Sequence, residues 1–409
     1  MQRLKATYID IIHGWIAGIV QEMELIQSLI SDHLSTFRGT REGGGAVHVA
    51  AGMPWAPASW PTAVRLYGTK LERNAAECGF GGAVFIDGAA SALAVGGGSS
   101  ITGNRAAYGG AIFVGGGVDS VSVSGGSLVA GNSAAGAGGA IMVDGGVGSL
   151  ALEGGSAFSS NAAIGEGGAV YVGGSVPTVT ISGNSTVSGN RANGGSGGAL
   201  YITGDVTSFA VEGGVTISNN TARWDGGAIY VYSVISLSVD SNSTVSGNRA
   251  NVGSGGAVFV GSGLTSFVVR GGSAISNNTA KKDGGAVYVE DYVNELVVGG
   301  SSTISGNRAD GGNGGAIFIE DDLVTLTVDG SSTISGNRAN GGSGGAIYVR
   351  ASVNVFEVKG GSAVSNNSAN VDGGVMYVRS SATLLIFGGN STMSGNRADG
   401  GSVESLRAS

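Results

Sequence analysis

The chain has 409 residues, of which 80 are glycine and 4 proline, and it carries a formal net charge of −8. Glycine does not recur at every third position, which excludes a collagen helix; a hydrophobic content of 42% set in regular alternation excludes a disordered chain. The acidic balance excludes nucleic acid as a partner, because its binders need a basic stripe, and Cys78, the single cysteine, supports neither an intrachain disulfide nor a cysteine-based metal site.

Residues 1–40 differ from everything that follows. Ile11, Ile12, Trp15, Ile16, Ile19, Val20, Met23, Leu25, Ile26 and Ile30 keep a helical spacing, which predicts an amphipathic helix capping the open end of a stack. Asp10, His13, Gln21, Glu22 and Glu24 interrupt the apolar run, so neither a transmembrane span nor a signal peptide is expected. The other reading of this segment is a misassigned start within a longer product. Residues 41–79 read as an irregular first coil with a loop, marked by Pro54, Pro57 and Pro61 around Trp55 and Trp60. Regular repeats fill 80–401, and 402–409 read as a truncated tail, so the chain is expected to be a fragment.

The repeats carry the fold. GGAIYV and its variants start at Gly44, Gly81, Gly109, Gly138, Gly167, Gly197, Gly226, Gly255, Gly284, Gly314, Gly344 and Gly373, about 29 residues apart. Spacing this constant belongs to stacked coils, since tandem domains drift in length. Within 226–254, three short strands are predicted at Ala228–Val231, Ser236–Val239 and Thr244–Ser246, separated by glycine, serine or asparagine turns. The second strand alternates cleanly in successive coils, as in Phe209 and Val211, Leu237 and Val239, Phe267 and Val269. That pattern gives one core face and one solvent face. The expected fold is therefore all-β, a right-handed parallel β-helix of about twelve coils with three strands each, plus the N-terminal helix; handedness follows the general bias of parallel crossovers.

A second column supports this. Asn104, Asn132, Asn161, Asn190, Asn220, Asn248, Asn278, Asn307, Asn337, Asn367 and Asn396 recur in phase, with Asn74 before them. A side-chain amide both donates and accepts, so stacked asparagines form a ladder that satisfies turn backbone in the interior. Three residues before each asparagine stands a large apolar residue, among them Ile101, Val129, Phe158, Ile217 and Met393.

GGA[ILV] in phase with an apolar-x-x-Asn element resembles the repeats of the chlamydial polymorphic outer membrane proteins, whose paired motifs are GGAI and FxxN. GGAI stands literally at Gly138, Gly226, Gly314 and Gly344, and FxxN at Phe158–Asn161. The resemblance spans Gly44 to Gly401. It implies a surface-exposed, adhesive β-helix, located at the cell surface or extracellularly; the regularity of the repeats separately predicts a protein that is not an enzyme. The family's secretion signal and C-terminal translocator barrel are not seen in this sequence, so autotransport is not implied.

The candidate binding surface is an aromatic column two residues after each alanine of the signature: Tyr171, Tyr201, Tyr230, Phe259, Tyr288, Phe318, Tyr348 and Tyr377, preceded by His48, Phe85, Phe113 and Met142. If the β-branched neighbours point inward, the aromatics form an exposed stripe suited to sugar rings or a partner protein; the competing arrangement is an inward stack filling the core. The expected partners are surface glycans or proteins. No catalytic residue, cofactor or metal ligand is expected.

Three weaker signals remain. A Thr-x-Ser row (Thr186, Thr216, Thr244, Thr303, Thr333 and Thr392 with their serines) suits ice binding, but Ala274 and Ala363 break it. Glu290, Asp291, Glu320, Asp321 and Asp322 are the acidic candidates for a polysaccharide-processing enzyme, the alternative function. Against that, no local break of the repeat is expected around them. Arg191, Arg249, Arg308, Arg338 and Arg397 are expected to pair at the surface with Asp225, Asp283 and Asp372. Six Asn-x-Ser/Thr sequons, at Asn184, Asn219, Asn242, Asn277, Asn366 and Asn390, would accept glycans in a secreting eukaryote.

Overall fold

The structure is a computed structural model that describes residues 45, 47–49, 63–400 and 406–408. The predicted N-terminal helix at 1–40 and the proline-containing loop lie outside the described residues. Everything described is a parallel β-solenoid of about twelve turns whose strands fall into three sheets, one of 23 strands and two of 12.

A regular coil shows how the sequence makes it. Val287–Val289 and Val293–Val298 lie in the large sheet, Thr303–Ser305 in the second and Arg308–Ala309 in the third. Each strand pairs in parallel with its counterpart in the adjoining coil, as Val287, Tyr288 and Val289 do with Ile317, Phe318 and Ile319. The two-residue Arg-Ala strand was not separated from the turns by sequence patterning, because two residues show no alternation. Alternation elsewhere settles the faces: Val287, Val289, Val293, Leu296, Val298 and Ile304 are all buried in one continuous core, and Tyr288 between them points away from it.

Large side chains stack along the axis. Phe209, Phe267 and Phe356 are almost wholly buried in that core. Removing water from such a side chain is worth roughly 1.5–3 kcal/mol, and each coil repeats the gain against its neighbour.

The start of the solenoid is complete in strands. Val47–Val49 pairs with Val84–Ile86, while Ala63–Tyr67, Lys70–Glu72 and Ala75–Phe80 pair with the corresponding strands of the next coil. At the other end Leu406–Ala408 adds a strand onto Met376–Val378.

The double glycine is a steric requirement. Gly226 has φ +61°, a left-handed conformation that disfavours a Cβ. A Cβ on Gly227 would fall inside the contact shell of the Gly256 carbonyl oxygen one coil away. The same conformational logic accounts for the sequons: Asn184, Asn219, Asn242, Asn277, Asn366 and Asn390 all have φ between +55° and +61°, in turn positions where other coils use glycine or serine. Asparagine is the side chain that tolerates this region best.

The asparagine ladder runs through the interior as expected. Asn248 receives hydrogen bonds at Oδ1 from the backbone N–H and Nδ2 of Asn220, both at 3.0 Å. Its own N–H and Nδ2 donate to Asn278 Oδ1, and Nδ2 also donates to the Ile217 carbonyl. A parallel ladder of buried serines lies one turn earlier, in which the Ser243 N–H donates to Ser273 Oγ and the Ser273 N–H to Ser302 Oγ. Val215 interrupts that row, and Ser185 Oγ in the coil before it is buried without a partner.

Candidate functional site

The aromatic column stands on the outward side of the large sheet, opposite the core. Its position follows from the strand itself: in Ile229–Tyr230–Val231 the flanking residues are buried and the ring between them faces out. From Tyr171 to Tyr377 the eight rings form one unbroken stack with centroid separations of 4.5–5.5 Å and planes within 19° of parallel. Parallel strands in register leave no other choice, because each ring sits above its counterpart at the strand spacing. Phe259 and Phe318 are buried, at 8% and 4% exposure, and the tyrosines are half-buried.

Each internal ring face is therefore occupied by its neighbours. What reaches solvent along the column is ring edge and, at the tyrosines, hydroxyl. This differs from the open stripe expected from alternation: a ligand meets edges rather than faces.

Burial raises the Tyr171, Tyr201, Tyr230, Tyr288 and Tyr348 hydroxyls above their ordinary value, and neighbouring acids add to the effect. Those acids line both sides of the column. On the turn entering the strand stand Glu166, Asp225 and Asp283; on the far side stand Glu290 and Glu320. Asp225 is raised chiefly by burial, against the Ser254 N–H that it accepts at 2.8 Å and the charge of Lys282. Glu290 is raised by burial and by the charges of Asp225 and Glu320.

The other sequence candidates fall as follows. Glu320 forms an ion pair with Arg350, and Asp322 Oδ1 accepts the Ser352 N–H at 2.8 Å. Arg308 and Arg397 pair with Asp310 and Asp399 on their own turns rather than with the aspartates of the double-glycine turns. The reason is that Asp225 and Asp283 already bind backbone: Asp283 Oδ1 accepts the Asn313 N–H at 2.7 Å. The Thr-x-Ser row flanks the buried apolar residues of the second sheet, half-buried. Among the described residues no group of three or more His, Cys, Asp or Glu side chains is placed to hold a metal ion, and no helix is long and apolar enough to cross a membrane. Two internal voids are lined by aliphatic and aromatic core residues, and the one at Leu150, Phe158 and Val187 measures about 30 Å³.

Sequence patterning missed the freely exposed rings and the break in the repeat. Trp224, Tyr232 and Tyr292 are 42%, 54% and 40% exposed, and Ile235 is 51% exposed. Three of these four belong to one coil, and that coil is irregular. Its first two strands merge into a single strand, Ile229–Val239, with a register shift against the coil before it. The signal was present in the spacing: Val231 precedes Leu237 by six residues, whereas Val260 precedes Phe267 and Val289 precedes Leu296 by seven. The expectation of an unbroken repeat is corrected at this coil and at the one before it, where Leu200–Glu212 likewise runs as a single strand.

The family model for the Chlamydia polymorphic membrane protein repeat matches residues 214–232, 272–290, 301–320 and 331–350. Each match contains one asparagine of the ladder, one GGA signature and one ring of the column, as in Asn278, Gly284 and Tyr288. Four segments of the chain match that repeat model. Their family is a surface-associated β-helix family and fits a non-enzymatic surface protein. No curated protein and no solved structure matches the chain. In the repeats of this chain the two motif columns divide the labour: asparagine and glycine close the coil, and the aromatic position furnishes the outer face.

Proposed function

We propose that this chain is a non-enzymatic, adhesin-like β-helix of the cell surface that binds a partner along the outward face of its large sheet. The observation that carries the reading is the eight-ring column with acidic flanks on that face. A stack locked by its own neighbours is a rigid platform, and rigid aromatic surfaces lose little conformational entropy when a partner docks.

The test is binding of the purified chain to intact cells and to a glycan array, beside a variant carrying Trp224→Ala and Tyr232→Ala. Both side chains are exposed, so the coil keeps its core. Saturable binding by the unaltered chain and its loss in the variant, with unchanged thermal unfolding, is the expected result. Equal binding by both proteins removes this face from the function, and cleavage of an arrayed polysaccharide would replace the adhesive reading with the enzymatic one.

A further inference from the structure

The negative charge of the chain is not spread evenly around the rod. Over residues 186–309 the strands of the second and third sheets carry no acidic residue. The third sheet and the turn that leaves it instead place a cation on each of four successive coils: Arg191, Arg223, Arg249 and Lys281, all exposed.

Register turns these four into a row. Arg191 pairs with Thr221, Thr221 with Arg249, and Arg249 with Thr279. Pairing runs on past the two-residue strands, since the Arg223 N–H donates to the Ala192 carbonyl and the Lys281 N–H to the Ala250 carbonyl. Each coil therefore presents two outward positions with a buried alanine between them. They hold Arg191 and Asn193, Thr221 and Arg223, Arg249 and Asn251, Thr279 and Lys281. The cation alternates between the two positions, and a neutral hydroxyl or amide takes the other. Three strand spacings carry the row over about 14 Å.

The row is electrostatically open. None of the four makes an ion pair among the described residues, and the acids on the following turns are held by backbone, Asp225 by the Ser254 N–H and Asp283 by the Asn313 N–H. One coil further on, the pattern closes where Arg308 pairs with Asp310.

Charge and polarity decide the occupant. A row of unpaired cations attracts an anion, and four of them repeating with the coil suit a polymer that repeats likewise. A β-linked pyranose unit advances by about one strand spacing. The neutral positions offer hydroxyl and amide groups, which hydrogen-bond to sugar hydroxyls. A single-stranded nucleic acid asks for aromatic side chains on which its bases stack, and at this edge only Trp224 stands near the row, with the Arg223 guanidinium 5.6 Å from its ring centroid.

We propose that the third-sheet edge from Arg191 to Lys281 binds an extended acidic polysaccharide along the rod axis, its carboxylate or sulfate groups meeting Arg191, Arg223, Arg249 and Lys281 and its hydroxyls meeting Asn193, Thr221, Asn251 and Thr279. This surface is separate from the aromatic column and goes beyond the adhesive reading of that face.

The probes are a linear decamer of β-linked glucuronic acid, its neutral methyl ester and a sulfated β-linked glucan decamer, each titrated into the whole chain by calorimetry at two salt concentrations. At least one acidic decamer should bind at least about tenfold more tightly than the ester and weaken as salt rises; which of the two binds tells carboxylate from sulfate. Arg191→Gln with Arg249→Gln and Lys281→Gln should abolish that preference. Arg65→Gln with Lys70→Gln and Arg73→Gln removes the same charge from exposed residues of the first coil and should leave it intact, with thermal unfolding checking both folds. Equal affinity for acidic and neutral decamers, no binding of either acid, undiminished binding by the first variant, equal loss in both variants, or tighter binding of a thymidine decanucleotide or of phosphatidylserine vesicles overturns the proposal. Because the altered cations lie off the aromatic column, cell binding that survives their removal leaves the adhesive reading standing whatever the decamers do.

Discussion

Two columns run the length of this rod, one inside and one outside, and they obey different rules. The interior column is asparagine at each coil from Asn74 to Asn396. The outer column accepts tyrosine, phenylalanine, methionine or histidine. Inside, each amide must donate to the following coil and accept from the preceding one, and no other neutral side chain of that length does both. Outside, the structural requirement is a side chain that stacks, which several meet. Identity is fixed where hydrogen-bond geometry must close, and drifts where shape alone suffices.

The largest effect expected from breaking the inner rule is steric. Gly227→Ala drives a Cβ into the Gly256 carbonyl and the backbone of Arg249 and should cost at least about 4 kcal/mol, read as a loss of cooperative urea unfolding. Asn248→Ala comes next. It leaves the Asn220 N–H without its Oδ1 acceptor and removes the bonds from Asn220 Nδ2 and to Asn278 Oδ1 and the Ile217 carbonyl, while the Asn248 N–H still donates to Asn278; with about 1–3 kcal/mol for a stranded buried donor the midpoint of unfolding should fall. A third substitution isolates backbone strain: Asn277→Ala, at φ +55°, should cost about 1–2 kcal/mol while Asn277→Gly is close to neutral.

The outer column is sharpened by pH. Five of its tyrosines hold their protons above the ordinary range, through burial first and neighbouring negative charge second. The folded state then binds more protons than the unfolded state once pH passes the unfolded tyrosine value of about 10. Stability is full below that pH and declines above it, and tyrosinate absorbance should rise late and together with unfolding. Tyr230→Phe with Tyr288→Phe, which keeps the stack, should lessen that alkaline decline. The smallest effect is at the surface: Arg270 meets Asp240 at 2.7 Å, yet Arg270→Ala should change stability by less than about 1 kcal/mol, as exposed pairs do.

Much of this was legible in the order of residues. The double glycines set the coil length, Val287 and Val289 set the inward face, and the recurrence of asparagine announced its ladder. The serine ladder keeps the same period, broken at Thr69 and Val215, but was obscured by the abundance of serine in the turns. The shortened coil showed only as one missing residue between Val231 and Leu237, a signal that the constant overall period conceals.

The sequence by itself determined the coil, because glycine, alternation and asparagine each have a local physical requirement that repeats with the chain. Only the tertiary structure decided what the outer face offers. Ring faces were consumed because parallel register places each ring on the next, so that Tyr230 and Tyr288, two repeats apart in sequence, cover the two faces of Phe259.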